Sequence, residues 1–400
     1  MQSTLGTFPA AGAFKVWKTS IMAIREASHA GSWYSDDGPH LTAQLDHWLA
    51  KVPDTNILPD IDTLPAPGAR VVISPHAGYA YSGPCAAWAY KCLDLSKAKR
   101  IFVLHPSHHQ HLSTAALPTV DAYETPLSTS PLPLDHDTIR HLSTLSATSS
   151  QNRTIKFTTM SQAVDEAEHS AEMQLPYIHH LLQKLYPDQP ESSYPPLVPI
   201  MVGATNVATE TALGKMLAPY IADDSNAFVI SSDFCHWGSR FGYTYYLPDA
   251  PSPAWSPLTL PNGVRGGSTG ATKESVNDIH TLPTLGQGQD LRSGTKLSKN
   301  SPQIWESIAH ADRACMCAIA TGKHSEFLRV VQETGNTICG RHPIGVFMAG
   351  LEEVNRAETE NGTGANSATG RFRFMRYERS SDAESPRDSS VSYVSAFAVL

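Results

Sequence analysis

Three short apolar runs of the chain are each followed by residues that could bind a metal or move a proton. His76 follows the first run, His108 the second, and Asp233 and His236 the third. If the runs are parallel strands, their carboxyl ends meet at one edge of a sheet, which is where open α/β proteins bind ligands. The sequence therefore predicts a single site built from three strand ends.

Cys339 adds a thiol to this set and lies within residues 336–343, just before a predicted helix. Imidazole and thiolate ligands together favour iron, copper or zinc over magnesium or calcium. A helix N-terminus lowers the pKa of a nearby thiol, so we expect an activated cysteine. The alternative is an inert, buried cysteine at a turn.

Asp233 and His236 allow two interpretations. As ligands they would complete a site of five groups. As neighbours of the ligands, Asp233 would orient an imidazole and His236 would shuttle protons, and we favour this second interpretation. Arg341 and His342 could stabilise a thiolate or simply cap their loop, and Cys235, between Asp233 and His236, could point into the core.

Four further residues are weaker candidates. His169 and Glu172 open a predicted helix, where acidic residues are expected for the helix dipole, so a role at the helix start is the default and a catalytic role is secondary. Trp33 and Tyr81 are candidate pocket aromatics, although core packing explains them equally well.

Composition excludes several classes of function. The 400 residues carry 38 acidic and 30 basic side chains with no basic block, which argues against a nucleic-acid surface. No apolar run approaches the roughly 20 residues of a membrane helix, so no membrane insertion is expected. The six cysteines show no framework spacing and indicate reduced thiols in a cytoplasmic protein. Phosphate-binding loops and a serine-nucleophile elbow are absent from the sequence.

Apolar runs alternate with amphipathic helical patterns along most of the chain. This alternation predicts an α/β fold, a single domain with a mainly parallel central sheet covered by helices on both faces. Residues 1–24 are expected to be a disordered leader, unless translation starts at Met22 rather than Met1. The domain spans 25–400 and is interrupted by a predicted disordered insertion at 247–301, which is poor in large apolar residues.

Several motifs resemble those of the Memo family, named for mediating receptor-tyrosine-kinase-driven cell motility. They are REASHAGSWY at 25–34, PHAGY at 75–79, PSHH at 106–109, EHS at 168–170, SSDFCHWG at 231–238, NTICGRHPIG at 336–345 and DSSVSY at 388–393. The resemblance runs in order over about 25–246 and 304–400 and is specific because of its many separate motifs.

The resemblance implies a fold similar to class III extradiol dioxygenases, which hold non-haem iron. It also implies a copper or iron site, with zinc less favoured, on His76, His108 and Cys339, with Asp233 and His236 adjacent. A cysteine would then replace the carboxylate of the dioxygenase site, so ring-cleaving activity is not expected.

The resemblance leads us to expect a metal-binding redox protein in intracellular signalling, cell motility and metal or redox homeostasis. It would act in the cytoplasm and, as a second compartment, the nucleus. One alternative is an adaptor that binds phosphotyrosine peptides or signalling proteins in the same pocket, through Trp33, Tyr81, Arg341 and His342. Another is a zinc hydrolase, with Asp233 or Glu172 as the base for a metal-bound water.

Overall fold

A computed structural model describes residues 22–58, 61–251, 282–361 and 370–400 of the chain. Residues 1–21 of the predicted leader and 252–281 of the predicted insertion lie outside the described residues. The described part opens with Met22, and Ile24–Arg25 already forms a strand that pairs with Ala122–Tyr123.

The described residues form eighteen strands, ten α-helices and two short 3₁₀ helices, Glu191–Ser193 and Ser239–Phe241. The strands are β1 Ile24–Arg25, β2 Thr55–Leu58, β3 Ile61–Thr63, β4 Val71–Ser74, β5 Arg100–Pro106, β6 Ala115–Leu117, β7 Ala122–Tyr123, β8 Leu132–Pro133, β9 Ser146–Thr148, β10 Thr154–Lys156, β11 Thr158–Thr159, β12 Leu197–Val202, β13 Asn226–Ser231, β14 His236–Trp237, β15 Tyr245–Tyr246, β16 Gln289–Asp290, β17 Phe372–Arg379 and β18 Ser390–Ala398. The helices are α1 Gly38–Ala50, α2 Tyr79–Cys92, α3 His136–Thr144, α4 Gln162–Ala167, α5 His169–Glu172, α6 Leu175–Leu185, α7 Val207–Ala222, α8 Ile304–Ala320, α9 His324–Thr334 and α10 Arg341–Glu360. None of these helices combines the length and the apolar character that crossing a membrane requires.

A nine-stranded sheet organises the domain, in the order β11-β6-β12-β5-β13-β4-β18-β14, with β17 also paired to β18. The four central strands, β12, β5, β13 and β4, are parallel. Strand β6 runs antiparallel to β12, and β18 runs antiparallel to β4, β17 and β14. The predicted parallel arrangement is therefore correct for the centre, but the sheet as a whole is mixed because the last strands return along its edge.

Helices cover both faces of this sheet. On one face, the ring of Phe102 of β5 stacks on that of Phe228 of β13, with 4.8 Å between ring centroids. The Phe228 ring also contacts that of Phe347 of α10, with 5.3 Å between centroids. Side chains alternate along a strand, and Ser395 of β18 points to the opposite face. There it contacts Cys85 of α2, with 3.7 Å between Oγ and Sγ. Helix α10 therefore covers one face and α2 the other.

The two flanks of the predicted insertion pack onto the domain. Strand β15 pairs antiparallel with β16, and Leu291 lies in an apolar cluster with Trp237, Tyr246 and Ile304. Leu247 and Ala250 are buried as well. The predicted disorder therefore does not hold for residues 247–251 and 282–301, because their few apolar side chains have a cluster to join.

The predicted helix that His169 and Glu172 open is divided into α5 and α6, and α4 ends just before it. The Glu168 side chain accepts a hydrogen bond from the Ser170 backbone N–H and so caps a new helix. Pro176 stands in the first turn of α6, where its missing N–H costs nothing. The break places His169 at a helix start facing the carboxyl edge of the sheet.

Candidate metal centre

His76 follows β4 at the carboxyl edge of the sheet and is only 1% exposed. Its Nδ1 lies 2.7 Å from Ser231 Oγ, and that hydroxyl donates its proton to the Ser170 carbonyl at 2.8 Å. Gln174 Nε2 also donates to Ser231 Oγ, at 2.9 Å. Since the hydroxyl has only lone pairs left for His76, the His76 proton resides on Nδ1 and Nε2 presents a lone pair.

Cys339 lies against this lone pair, with its Sγ 3.0 Å from His76 Nε2. The Asp233 backbone N–H donates to the same sulfur at 3.2 Å. Burial raises the pKa of the Cys339 thiol well above its ordinary value, and the Asp233 carboxylate raises it further. The prediction of a lowered pKa is therefore wrong, because burial and a neighbouring acid outweigh the start of α10.

The loop of Cys339 is held close to the loop that follows β13. Gly340 N–H donates to Ser232 Oγ at 3.1 Å, and a Cβ at position 340 would lie 2.3 Å from the Ser232 Cβ. Only glycine allows this approach. The close contact brings the Cys339 sulfur to the strand ends.

His108 is oriented by Glu168 in the same way that His76 is oriented by Ser231. Its Nδ1 lies 2.8 Å from Glu168 Oε1, and its backbone N–H donates to Oε2 at 2.6 Å. Burial opposes ionisation of Glu168, but the hydrogen bond and charge of His108 hold the pKa of this carboxyl well below its ordinary value. The ionised carboxylate accepts the Nδ1 proton, so His108 Nε2 carries the lone pair.

His169 completes a group of three histidines whose ligand atoms with His76 and His108 all lie within 4.8 Å of one another. Its ring stacks on His108 with centroids 4.5 Å apart. Burial, together with His108, lowers the pKa of His169 to about 3, and burial also lowers the pKa of His76 well below its ordinary value. Neutral imidazoles need lose no proton to bind a metal through a free nitrogen.

Of the candidate pocket aromatics, the structure brings Trp33 to this group. Its indole stacks on His169 with 4.3 Å between ring centroids. His29, which the sequence did not single out, contacts both rings, with centroid distances of 5.8 Å to Trp33 and 6.0 Å to His169. Tyr81 lies on the first turn of α2 and is 61% exposed. Trp33 therefore shields one face of His169, whereas Tyr81 is a surface side chain.

Asp233 and His236 lie beside the group rather than within it. Asp233 Oδ1 accepts backbone hydrogen bonds from His76 at 2.8 Å and Ala77 at 3.3 Å. Burial raises the pKa of Asp233, against the lowering effects of His236 and these two bonds. His236 Nδ1 faces the Phe234 carbonyl at 2.9 Å, and its Nε2 has no hydrogen-bond partner among the described residues.

His342 belongs to a neighbouring cluster. Its Nδ1 lies 2.8 Å from Glu210 Oε1, and Glu210 Oε2 lies 2.6 Å from His324 Nε2. Arg341 is exposed and donates from Nε to His342 Nε2 at 3.2 Å. The structure therefore joins these two candidates to each other and to Glu210, a partner that the sequence did not reveal.

Glu172 holds the N-terminal segment in place. Its Oε2 accepts from Arg25 at 2.7 Å and lies 2.8 Å from His29 Nδ1, and its Oε1 accepts from the Tyr34 hydroxyl at 2.9 Å. Burial raises the pKa of Glu172, but His29 and Arg25 lower it to about 2 overall. Its oxygens are thus occupied by structural partners.

The match to known proteins covers the whole of this site. A family model described as a Memo-like protein matches residues 25–397. The chain belongs to the Memo family. A MEMO1 family protein of Schizosaccharomyces pombe is 39% identical over 377 residues, which covers 94% of this chain and 99% of the relative. The proteins named MEMO1 from Homo sapiens and Rattus norvegicus are each 36% identical over 372 residues, which covers 93% of this chain and 96% of each relative.

The membership confirms the family predicted from the motifs, and all candidate site residues fall within the range that the Memo model matches. The donor set also fits a transition metal. Three imidazole nitrogens and one thiol suit copper, iron or zinc, whereas magnesium and calcium prefer oxygen ligands. The nitrogens of His76, His108 and His169 form the group that could hold it, and the Cys339 sulfur lies beside this group, 3.0 Å from His76 Nε2.

Proposed function

We propose that this Memo family protein binds copper or iron through His76, His108 and Cys339, with His169 as a further donor, and serves redox chemistry. The observation that carries the proposal is the convergence of donor atoms. The three histidines have ligand atoms within 4.8 Å of one another, and the Cys339 sulfur is 3.0 Å from His76 Nε2. In this proposal the Memo residues that orient the ligands are as important as the ligands themselves.

The protonation states of the site support a cation as its ligand. Burial favours the uncharged forms of Cys339, His76 and His169, while Glu168 nearby is ionised. A cation would stabilise the Cys339 thiolate and balance the Glu168 carboxylate. Metal binding would therefore replace the thiol proton.

The bound metal would supply one-electron chemistry with dioxygen or its reduced forms as co-substrate. Ser231 and Glu168 would keep the Nδ1 protons of His76 and His108 in place. His236, with a free Nε2 on a partly exposed ring, is proposed to hold and pass a proton, and Asp233 to orient the His76 backbone. Trp33 would limit access of water to the His169 ring.

We further propose a fold similar to that of class III extradiol dioxygenases, in which Cys339 stands where those enzymes use a carboxylate. The thiol favours copper or iron with zinc as the weaker choice, and with a thiol in place of the carboxylate we do not expect ring cleavage. The proposed setting is intracellular signalling, cell motility and redox homeostasis in the cytoplasm, as the family resemblance implies.

An adaptor function at the same pocket is the second candidate. Its support is three exposed or partly exposed groups on segments that adjoin the site: Tyr81, 61% exposed on the first turn of α2, Trp33, which is partly exposed on His169, and Arg341, exposed at the start of α10. Aromatic and cationic side chains suit a phosphotyrosine peptide. No binding of a phosphotyrosine peptide to apo or metal-loaded protein, measured by fluorescence anisotropy, would remove this candidate.

A zinc hydrolase has less support. Glu172, one of its two candidate bases, already accepts hydrogen bonds from Arg25 and Tyr34 and contacts His29. Asp233, the other candidate base, accepts hydrogen bonds from the backbone N–H groups of His76 and Ala77. Binding of copper or iron with no affinity for zinc would eliminate it.

Metal titration against competing chelators tests the main proposal. Copper, iron and zinc are added to the wild type, His76→Ala and Cys339→Ser, with His40→Ala as the control because His40 is exposed on α1. We expect at least a tenfold loss of affinity in the two site variants and none in the control. Equal affinity in all four proteins would overturn the proposal.

A further inference from the structure

Asp312 is a buried acid in the middle of α8 whose carboxylate connects the two loops of the site. It is 0% exposed. Its Oδ1 accepts hydrogen bonds from Asn336 Nδ2 at 2.8 Å and from the Cys235 backbone N–H at 3.3 Å. Its Oδ2 accepts from the Tyr377 hydroxyl of β17 at 2.9 Å. One oxygen thus joins both loops, and the other joins them to the sheet.

One of these loops, before α10, carries Cys339, and the other, after β13, carries Asp233 and His236. They hold each other directly, since the His236 N–H donates to Thr337 Oγ1 at 2.8 Å and Thr337 Oγ1 donates to the His236 carbonyl at 3.1 Å. Residues 336–339 have no regular secondary structure. Side-chain hydrogen bonds therefore contribute, together with the Asp233 backbone N–H, to fixing the position of the Cys339 sulfur.

A structural role in the core alone does not explain an acid at position 312. The donors to its carboxylate are uncharged, and burial raises the pKa of Asp312 to about 6 against their lowering effect. A buried carboxyl without an opposite charge costs stability that an apolar side chain would not. The Asn336 amide oxygen has no hydrogen-bond partner within the described structure, so the side chain of Asn336 serves to donate to Asp312 and to Cys315 Sγ at 3.7 Å.

We propose that Asp312 is a positioning residue which, through Asn336 and the backbone of Cys235, holds the Cys339 sulfur against His76. The inference rests on the proposed function, because it assigns Asp312 a role in shaping the metal centre. It predicts that the Asp312–Asn336 bond controls thiolate ligation, whereas the Asp312–Tyr377 bond contributes to stability alone.

Asn336→Ala and Tyr377→Phe form a matched pair, since each removes one uncharged donor to the same carboxylate. The purified full-length proteins are titrated with Co²⁺, whose bond to a thiolate gives a near-ultraviolet charge-transfer band that imidazole ligands do not give. Asn336→Ala is expected to weaken this band and to lower the affinity for Co²⁺ by about tenfold, the effect of losing a residue that orients a ligand. Tyr377→Phe is expected to keep both.

Asp312→Ala is expected to lose the band as well, and if it does not fold, the matched pair decides the question. The inference is overturned if Asn336→Ala retains the band and affinity of the wild type, or if Tyr377→Phe loses them equally. A wild type that binds Co²⁺ without a thiolate band overturns the ligand role of Cys339 and the inference with it. A wild type that binds no Co²⁺, copper or iron overturns the proposed function itself.

Discussion

The Cys339 sulfur lies 3.0 Å from Nε2 of His76, although the two residues are 263 positions apart in the sequence. His76 follows the first of the central parallel strands, and Cys339 precedes α10 near the end of the domain. The contact therefore depends on the whole sheet and on the glycine that lets the last loop approach. Because the donor atoms come from distant segments, we expect the metal affinity of the centre to depend on the residues that orient these donors.

Glu168→Gln should weaken metal binding by about tenfold to a hundredfold. The carboxylate accepts the Nδ1–H and N–H of His108 and the N–H of Ser170. A glutamine offers a single oxygen to these donors and no negative charge. Affinity measured by chelator competition checks the effect, with Glu166→Gln, a partly exposed acid of α4, as the control. Equal losses in both variants would contradict a specific role for Glu168.

His169→Ala should also reduce the affinity, by at least tenfold if its nitrogen is a ligand. The ligand atom of His169 lies within 4.8 Å of those of His76 and His108. His111 is exposed and provides a histidine-to-alanine control, whereas His109 contacts the His169 ring. If His169→Ala and His111→Ala both bind metal as the wild type does, the centre consists of the other three donors and His169 only packs against them.

Metal binding at neutral pH should release about one proton, taken from the Cys339 thiol. Burial raises the pKa of this thiol, while His169, with a pKa lowered to about 3, and His76 are already neutral. Affinity should therefore increase as pH rises, and Cys339→Ser should reduce the proton release by about one. Calorimetry in buffers of different ionisation enthalpy measures this number. The same release in both proteins would show that the thiol is not a ligand.

Glu172→Gln should destabilise the fold more than it affects the chemistry. The folded-state pKa of Glu172 is about 2, below its ordinary value. The ionised carboxylate therefore contributes to the free energy of unfolding above its ordinary pKa, and this contribution is lost as pH falls toward 2. We expect a loss of about 3 kcal/mol in the free energy of unfolding at neutral pH. Urea titration checks this, with Glu333→Gln as a control because Glu333 forms an exposed pair with Arg329 on α9. An unchanged free energy of unfolding in Glu172→Gln would contradict the structural role.

Much of the site could be predicted from sequence because its information is local. His76 and His108 directly follow buried strands, and the central strands are parallel as predicted, so their ends meet at one edge. The antiparallel edge could not be predicted in the same way. Strands β17 and β18 have ordinary strand patterns, and only the path of the chain decides that they return beside β4.

The remaining features depend on tertiary contacts. His169 looked like a helix-start residue, and only the Glu168 cap, which breaks the helix, turns it toward His108 and Trp33. The raised pKa of Cys339 comes from burial and from Asp233, on a distant loop. His342 was expected in the pocket but pairs with Glu210, 132 positions away.

Metal analysis of the protein purified without a metal-affinity tag tests the central claim most directly. Wild type should carry about one equivalent of copper or iron per chain, as the mixed imidazole and thiol donors favour. The His76→Ala/Cys339→Ser double variant should carry almost none and should keep the secondary structure of the wild type by circular dichroism. If the wild type and the folded double variant contain equally little copper, iron and zinc, the centre does not bind metal and the proposed function is wrong.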